Sequence, residues 1–351
     1  MKRLRSLVVA AFRDAPRLVI TLRAEGPLPS GAPQWVGVRN HYDTLSFNER
    51  GAMSNWRKPS ELIVARVFPG LGLQLMRRAF RDWPFVLADA APPTSDSPDV
   101  SVVFSHRGLD RLPNLIAAIR NIAAQEDVLL ECIVVEQSAS PEVQEHLPAW
   151  VRYAHAPSPT NDFPFCKSWA TNVGARMARG RVLILQDNDL IGSPRFAREV
   201  LDRIEEGADF VDLKRFIFHL DKASSRLVTH AGEFVLDRPP EQITQSVHGG
   251  GVAARSDAYS EIGGCDETFV GWGGEDVEFW NRAHTMKVDE HGYLPFLHLW
   301  HSPQPDKKAR HNAPAVQRWI ERKKVPRVAR ITELRARDWG NPAAPAWRAD
   351  L

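Results

Sequence analysis

The sequence predicts an α/β fold with a mostly parallel central sheet flanked by helices, preceded by an N-terminal extension. Three observations carry that expectation. Between residues 100 and 186, short apolar runs of strand type alternate with segments of helical spacing, the pattern of βαβ units. Polar residues follow these runs directly: Ser105, His106 and Arg107; Glu136 and Gln137; Asp187, Asn188 and Asp189. Parallel sheets bind ligands beyond the carboxyl ends of their strands, where these residues fall. Finally, 351 residues suffice to bury one large core or two modest ones.

Composition narrows the function. A net charge of +2 is too small to argue for nucleic acid, and no aromatic-interleaved basic module is present. Cys132, Cys166 and Cys265 form no close pairing pattern, which fits a reducing compartment and neither a disulfide framework nor a cysteine zinc site. No apolar run is long enough to span a membrane. Leu7 to Phe12 is a short apolar stretch followed by Arg13 and Asp14, which argues against a signal peptide. A cytoplasmic protein is the expectation, with the inner membrane face as a peripheral location.

Residues 1–98 carry no chemical motif and form the expected extension. Met1 to Arg23 mixes Lys2, Arg3, Arg5, Arg13, Arg17 and Arg23 with leucine and valine. It reads as a solvated helix or as a segment lying on an anionic membrane surface, with the first preferred. The loop-like Ala91 to Pro98 marks a boundary. Val100 to Ser105 is then a strand, Leu112 to Ala124 a helix, and Leu129 to Glu136 a second strand. Val151 to Ala154 is a third, Ser168 to Ala178 a helix, and Arg181 to Gln186 a buried-type strand. The expected catalytic domain runs over 99–305. Over 306–351 follows a basic helical tail whose Lys307 to Arg337 run reads first as a solvated helix, then as a contact for anionic lipid or an acidic glycan.

Two stretches carry chemistry. Asp187-Asn188-Asp189 follows a strand, and carboxylates at i and i+2 on an extended chain end can approach one divalent cation such as Mg2+ or Mn2+. His298 and His301 follow the apolar Tyr293 to Leu297; imidazole beside carboxylate shifts the preference toward Mn2+, with His301 the better ligand candidate. The second stretch is Gly263 to Arg282. Its glycines allow sharp turns and close ligand approach, and Trp272 offers a flat face to a sugar ring. Glu275 and Asp276 open a helix, where a carboxylate beside an aromatic floor suits a general base acting on a hydroxyl.

These residues also carry a resemblance. Phe104 to Arg107, Ile133 to Glu136, Lys167 to Ala175 and Gln186 to Asp189 resemble the nucleotide-binding half of GT-A family 2 glycosyltransferases. Gly249 to Ala253, Gly263 to Glu267 and Gly271 to Asp276 resemble the C-terminal galactosyltransferase segment. β-1,4-Galactosyltransferases, polypeptide N-acetylgalactosaminyltransferases and bacterial chondroitin polymerases share that segment. The N-acetylgalactosamine-transferring domain of the polymerases is the nearest in motif, through Gly273 to Phe279 and Lys324 to Pro326. The resemblance covers about residues 99 to 328 and implies a GT-A, Rossmann-like fold.

It further implies roles. Asp189 and His301 would ligate Mn2+ or Mg2+, with His298 a second imidazole ligand and Asp187 at the ribose or metal. Arg107 and Glu136 would hold the uridine diphosphate and the base, although the family more often has Asp where this chain has Glu136. Lys167 and Asn172 would border the nucleotide, and Gly250, Gly251, Gly273 and Gly274 would allow close approach of substrate. Trp272 would floor the sugar site, Glu275 would bind sugar hydroxyls and Asp276 would be the base. Asp276 as base implies single displacement and inversion; retaining relatives carry Asn there.

The expected function is therefore metal-dependent inverting transfer of a hexose or N-acetylhexosamine from a UDP-sugar donor to a glycan or lipid-linked glycan acceptor. A metal-dependent hydrolase would leave the Gly271 to Asp276 segment unexplained. A non-catalytic glycan or sugar-nucleotide binding module is the alternative, and would have no need of Asp276.

Overall fold

The computed structural model describes residues 2–45, 52–53, 60–245, 247–303 and 313–344. Lys307, Lys308 and Arg310 of the basic run lie outside the described residues, as do Met1 and the side chains of Lys2 and Arg3.

The apolar runs form the centre of a seven-stranded sheet. Strands β1 (Val100–His106), β2 (Leu130–Ser138), β3 (Arg152–Pro157) and β4 (Val182–Gln186) are parallel, in the spatial order β4-β1-β2-β3. Every residue of β2 and β4 is buried, which is why they read as continuous apolar runs instead of alternating. Helix α1 (Leu112–Ala123) sends Leu115, Ile119 and Ile122 into the core cluster that holds Val102 and Phe104 of β1. Helix α2 (Lys167–Met177) adds Trp169 and Val173 to the cluster holding Val103 and Ile133. These spans agree with the sequence expectation to within two or three residues. Register places Phe104 opposite Gln186 and His106 opposite Glu136, so the polar ends of β1, β2 and β4 share one edge.

A second sheet has the order Ser60–Glu61, β8 (Gln242–Gln245), β7 (Lys214–His219), β11 (Leu294–His298), β5 (Leu190–Ile191). Returning to the main sheet, β9 (Gly251–Arg255) pairs antiparallel with β4 and with β6 (Phe210–Val211), and β10 (Val288–Asp289) closes that edge. The extension packs on the second sheet: Leu18, Trp35, Leu75 and Phe80 share a core cluster with Phe216, Phe218 and Leu297. Arg215, 1% exposed, donates to the carbonyls of Val36 and Val38 and to Gln245, tying β7 to the extension.

The C-terminal basic run departs from its first reading. Helices α4 (Pro314–Arg322) and α5 (Arg327–Arg335) pack on α3 (Glu275–Ala283) instead of standing in solvent. Arg330 and Arg282 both pair with the buried Glu278 at 2.6 Å, and Arg322 pairs with Asp266 at 2.8 Å. Arg322 and Arg330, which count as surface charge in a composition, are here internal struts, while Arg327 and Arg335 stay exposed. Among the described residues, no helix is long and apolar enough to cross a membrane.

Candidate active site

Strand pairing assembles one end of the site. Asp189 precedes β5, which runs antiparallel to β11 with Leu190 opposite His298, and the Leu299 amide donates to the Asp189 carbonyl at 2.8 Å. That pairing brings His301 Nε2 to 3.2 Å and His298 Nε2 to 3.8 Å from the Asp189 carboxylate. One ligand atom from each of the three lies within 4.8 Å of the others. Asp189 is 4% exposed, and its Oδ1 has no hydrogen-bond partner. An unmatched buried carboxylate oxygen costs about 1–3 kcal/mol or more. A buried carboxylate with two imidazoles is a donor set that fits Mn2+ or Mg2+, and more readily Mn2+. Burial raises the proton affinity of Asp189, but His298, His301 and Arg111 outweigh it and hold the carboxyl below its ordinary range.

Arg111 is a member of this end that sequence reasoning missed. Its Nη1 lies 3.7 Å from Asp189 and its Nη2 2.9 Å from His301 Nδ1, which is also 2.8 Å from the Ser302 carbonyl. The two contacts call for opposite tautomers. Donation from Arg111 puts the ring proton on Nε2, facing Asp189. Donation to Ser302 frees Nε2 to ligate a cation.

Asp187 lies outside that cluster. Its Oδ1 is 2.7 Å from the Nζ of Lys167, the first residue of α2, and Lys167 also lies 3.6 Å from Asp276. Burial lowers the proton affinity of Lys167, yet Asp187, Asp276 and Glu275 outweigh it and raise that affinity well above the ordinary value. Lys167, Glu275, Asp276, Gln186, His248 and Trp280 are among the residues lining a cleft of about 490 Å³ open to solvent. Glu275 and Asp276 start α3 as expected. Burial, and then the neighbouring Asp276, push the Glu275 carboxyl up to about 7 against the pull of Lys167. Its Oε2 accepts from the Gly273 amide at 3.1 Å.

The loop before α3 is held by its glycines. Gly273 and Gly274 have φ of +107° and +93°, a region that L side chains rarely adopt. A Cβ on Gly273 would lie 2.8 Å from Val316, and one on Gly274 2.9 Å from Trp319, so α4 backs the loop directly.

With this geometry in place, the sequence matches become interpretable. Residues 102–263 match the family model described as "Glycosyl transferase family 2". This segment is a family 2 glycosyltransferase domain. Residues 239–302 match a second model, described as "N-terminal domain of galactosyltransferase", which spans the glycine run, Glu275, Asp276 and both histidines. No curated protein matches the sequence. Solved structures similar to the chain include glucosyl-3-phosphoglycerate synthase from Mycobacterium tuberculosis with Mg2+ and UDP, at 14% identity and TM-score 0.41, covering 65% of this chain and 80% of that one. GalNAc-T7 with UDP, GalNAc and Mn2+ is 14% identical with TM-score 0.43, covering 72% and 56%. The catalytic domain of Drosophila beta1,4galactosyltransferase 7 with xylobiose is 14% identical with TM-score 0.33, covering 55% and 64%. The fold follows from the strand order of the main sheet and the family match.

The glycosyltransferase domain uses two of its predicted nucleotide contacts differently. Glu136 is fully buried, and its carboxylate accepts from Tyr153 at 2.7 Å, Ser138 at 2.9 Å and the amides of Glu142 and Val143 at 3.1 Å. Four internal donors fill it, so it braces the loop after β2 instead of presenting acceptors to a base. Asn172, also fully buried, donates to Cys265 and Glu267 and accepts from Tyr259, fastening α2 to the Gly263 to Glu267 turn.

Arg107 is held by protein carbonyls and keeps one spare donor. It donates to the carbonyls of Gln137 and Phe163, but its buried Nη2 has no partner. Gly250 accepts from the Asp187 amide at 3.1 Å, and Gly251 sits opposite Gln186 in the β9–β4 ladder, so both hold the carboxyl end of β4. Trp272 is partly exposed on the loop ahead of α3. Asn188 bonds to His106 Nδ1 at 2.7 Å, pinning the Asp187 to Asp189 turn to the end of β1. Burial lowers His106 to about 4, which keeps it neutral and able to accept that bond. His248, missed in the sequence, lines the cleft and stacks on Trp280 with ring centroids 5.0 Å apart.

Proposed function

We propose that the domain transfers a hexose or N-acetylhexosamine from a UDP-sugar to a hydroxyl of a glycan or lipid-linked glycan, with inversion at the sugar carbon. UDP-galactose, UDP-N-acetylgalactosamine and UDP-N-acetylglucosamine are the donors in view. The observation that carries this reading is the division of labour around Lys167: Asp187 and the Asp189 turn on one side, Asp276 and Glu275 on the other. A binding module has no use for a carboxylate pair in an open cleft, one of them sharing the Lys167 ammonium with Asp187.

Asp189, His301 and His298 would hold the divalent cation, which when bound supplies Lewis-acid neutralisation of the leaving diphosphate. The unpartnered Nη2 of Arg107 is a donor for the diphosphate or the uridine. Trp272 floors the sugar, and Glu275, positioned through the Gly273 amide, accepts from its hydroxyls. Asp276 removes the proton of the attacking hydroxyl as that oxygen bonds to the sugar carbon and the sugar–phosphate bond breaks. Lys167 keeps Asp187 and Asp276 close despite their like charges. The three unpaired cysteines suit a reducing cytoplasm.

The experiment is a panel of UDP-sugars with Mn2+, read both as thermal protection and as transfer to glycan acceptors. A ligand that binds only the native state raises the melting temperature. Protection together with turnover supports transfer. Protection without turnover on any acceptor would favour the binding module, and no protection by any UDP-sugar would remove the donor assignment.

A further inference from the structure

Residues 2 to 23 form one continuous helical rod: Lys2–Val9, a wider turn at Ala10–Asp14, then Ala15–Arg23. One side is fastened to the protein, since Ala10, Asp14 and Leu18 are at most 4% exposed and Leu18 joins the core cluster with Trp35 and Leu75. The opposite side is unusual for a solvated helix. Leu4, Val8, Phe12 and Ile20 are 67%, 48%, 79% and 69% exposed. Leu4, Val8 and Phe12 follow i, i+4, i+8 spacing, which sets them along one stripe. The wider turn at Ala10–Asp14 takes an extra residue per turn and brings Ile20 back toward that stripe.

Charge is sorted as well. Arg5, Arg13, Arg17 and Arg23 are exposed, while the rod's one carboxylate, Asp14, is buried. The outward surface therefore holds large apolar side chains and cations, with no exposed carboxylate on the rod. Water solvates such a stripe poorly, and an acidic protein groove would satisfy the arginines without requiring a row of aliphatic and aromatic groups. A bilayer surface with anionic headgroups satisfies both: acyl chains take the stripe, and phosphates take the guanidinium groups. In the C-terminal basic run, by contrast, Arg322 and Arg330 are consumed by internal ion pairs. Among the described residues its exposed cations have no comparable apolar stripe beside them: Val325 and Val328 are its exposed large apolar side chains.

We propose that the N-terminal rod is a monotopic docking face that seats the enzyme on an anionic membrane, with Leu4, Val8, Phe12 and Ile20 entering the headgroup boundary and Arg5, Arg13 and Arg17 binding lipid phosphate. This surface is separate from the sugar-transfer cleft and does not depend on what the cleft does.

The test is co-sedimentation of the full chain with phosphatidylcholine vesicles, with and without phosphatidylglycerol, at low salt and at about 1 M salt, where the screening length falls to roughly 3 Å. Wild-type protein should pellet with the anionic vesicles at low salt and be released by high salt. Arg5→Gln/Arg13→Gln/Arg17→Gln should weaken partitioning on the order of 100-fold. Phe12→Ser/Ile20→Ser should abolish it at low salt. All these side chains are exposed, Arg13 also bonding to His41 Nε2 at 2.8 Å, so both variants should melt close to the wild type, and a matched melting curve shows that lost binding is not lost folding. Failure to pellet with anionic vesicles at low salt would overturn the proposal, as would pelleting that neither variant alters. So would a wild-type dimer that Phe12→Ser/Ile20→Ser converts to monomer without any vesicle binding, since a second copy would then cover the stripe.

Discussion

Lys167 approaches Asp276 to 3.6 Å while holding Asp187 at 2.7 Å, so one ammonium joins the turn beside the cation site to the carboxylate pair that opens α3. Removing it should be felt on both sides. Lys167→Met should lower the transfer rate and move the acid limb of the pH–rate profile upward, because Lys167 is what restrains the raised proton affinity of Glu275. Lys167→Arg should restore part of the shift. A Lys167→Met profile that superimposes on the wild type would separate this residue from the chemistry.

Asp276→Asn keeps the size of the side chain and removes its proton acceptor. Transfer should fall by about 10²–10⁴ with donor affinity nearly unchanged. Trp272→Ala should weaken donor binding as well as rate, since it removes a surface and no proton acceptor. Titration of the UDP-sugar alongside initial rates distinguishes the two. A near wild-type rate for Asp276→Asn would move the base to Glu275 and remove the case for inversion.

Asp189→Ala and His301→Ala should each abolish Mn2+ binding, measured by calorimetry, and with it transfer, while the protein stays folded. Wild-type turnover should vanish in excess chelator and return with Mn2+. Full turnover in chelator would end the metal assignment.

Glu275 couples the site to stability. Its carboxyl rises from an ordinary 4.5 to about 7, so between those values the folded state binds more protons than the unfolded chain. The stabilising contribution is therefore fully present below pH 4.5 and is lost as pH rises through 7. Glu275→Gln should flatten that dependence and make the protein more stable than wild type at pH 8. Denaturant titrations at pH 5 and pH 8 measure it, and a wild-type difference that survives in Glu275→Gln would assign the effect elsewhere.

Glu278 is fully buried between Arg282 and Arg330. Glu278→Ala leaves two guanidinium groups buried and short of a carboxylate, and should cost about 3–5 kcal/mol of stability. A loss below 1 kcal/mol in chemical denaturation would mean that the arginines find water or another acceptor.

Much of the site was legible before the structure because its residues sit at strand ends, and strand ends are marked by apolar runs. Asp189 is far in sequence from His298 and His301, yet both sides follow apolar runs whose pairing partner could be anticipated in kind. Glu136 and Asn172 show where that reasoning stops. A polar residue at the mouth of a parallel sheet carries the same letter whether its hydrogen bonds go to a ligand or to Tyr153 and Cys265. Arg111 had no signal beyond being a second arginine four residues after Arg107. The C-terminal arginines misled for the same reason as Glu136: composition counts charges, and only packing shows that Asp266 and Glu278 wait inside to meet them.

Val316 and Trp319 stand directly behind Gly273 and Gly274. A chain cut after residue 305 would still possess every titratable group of the cleft, but the glycine turn would lose the wall that fixes its curvature. Such a truncated enzyme would fail through shape with its chemistry intact. By the same logic, exchanging residues 313–337 for the matching stretch of a relative should retune turnover and sugar preference without altering one residue that meets the substrate.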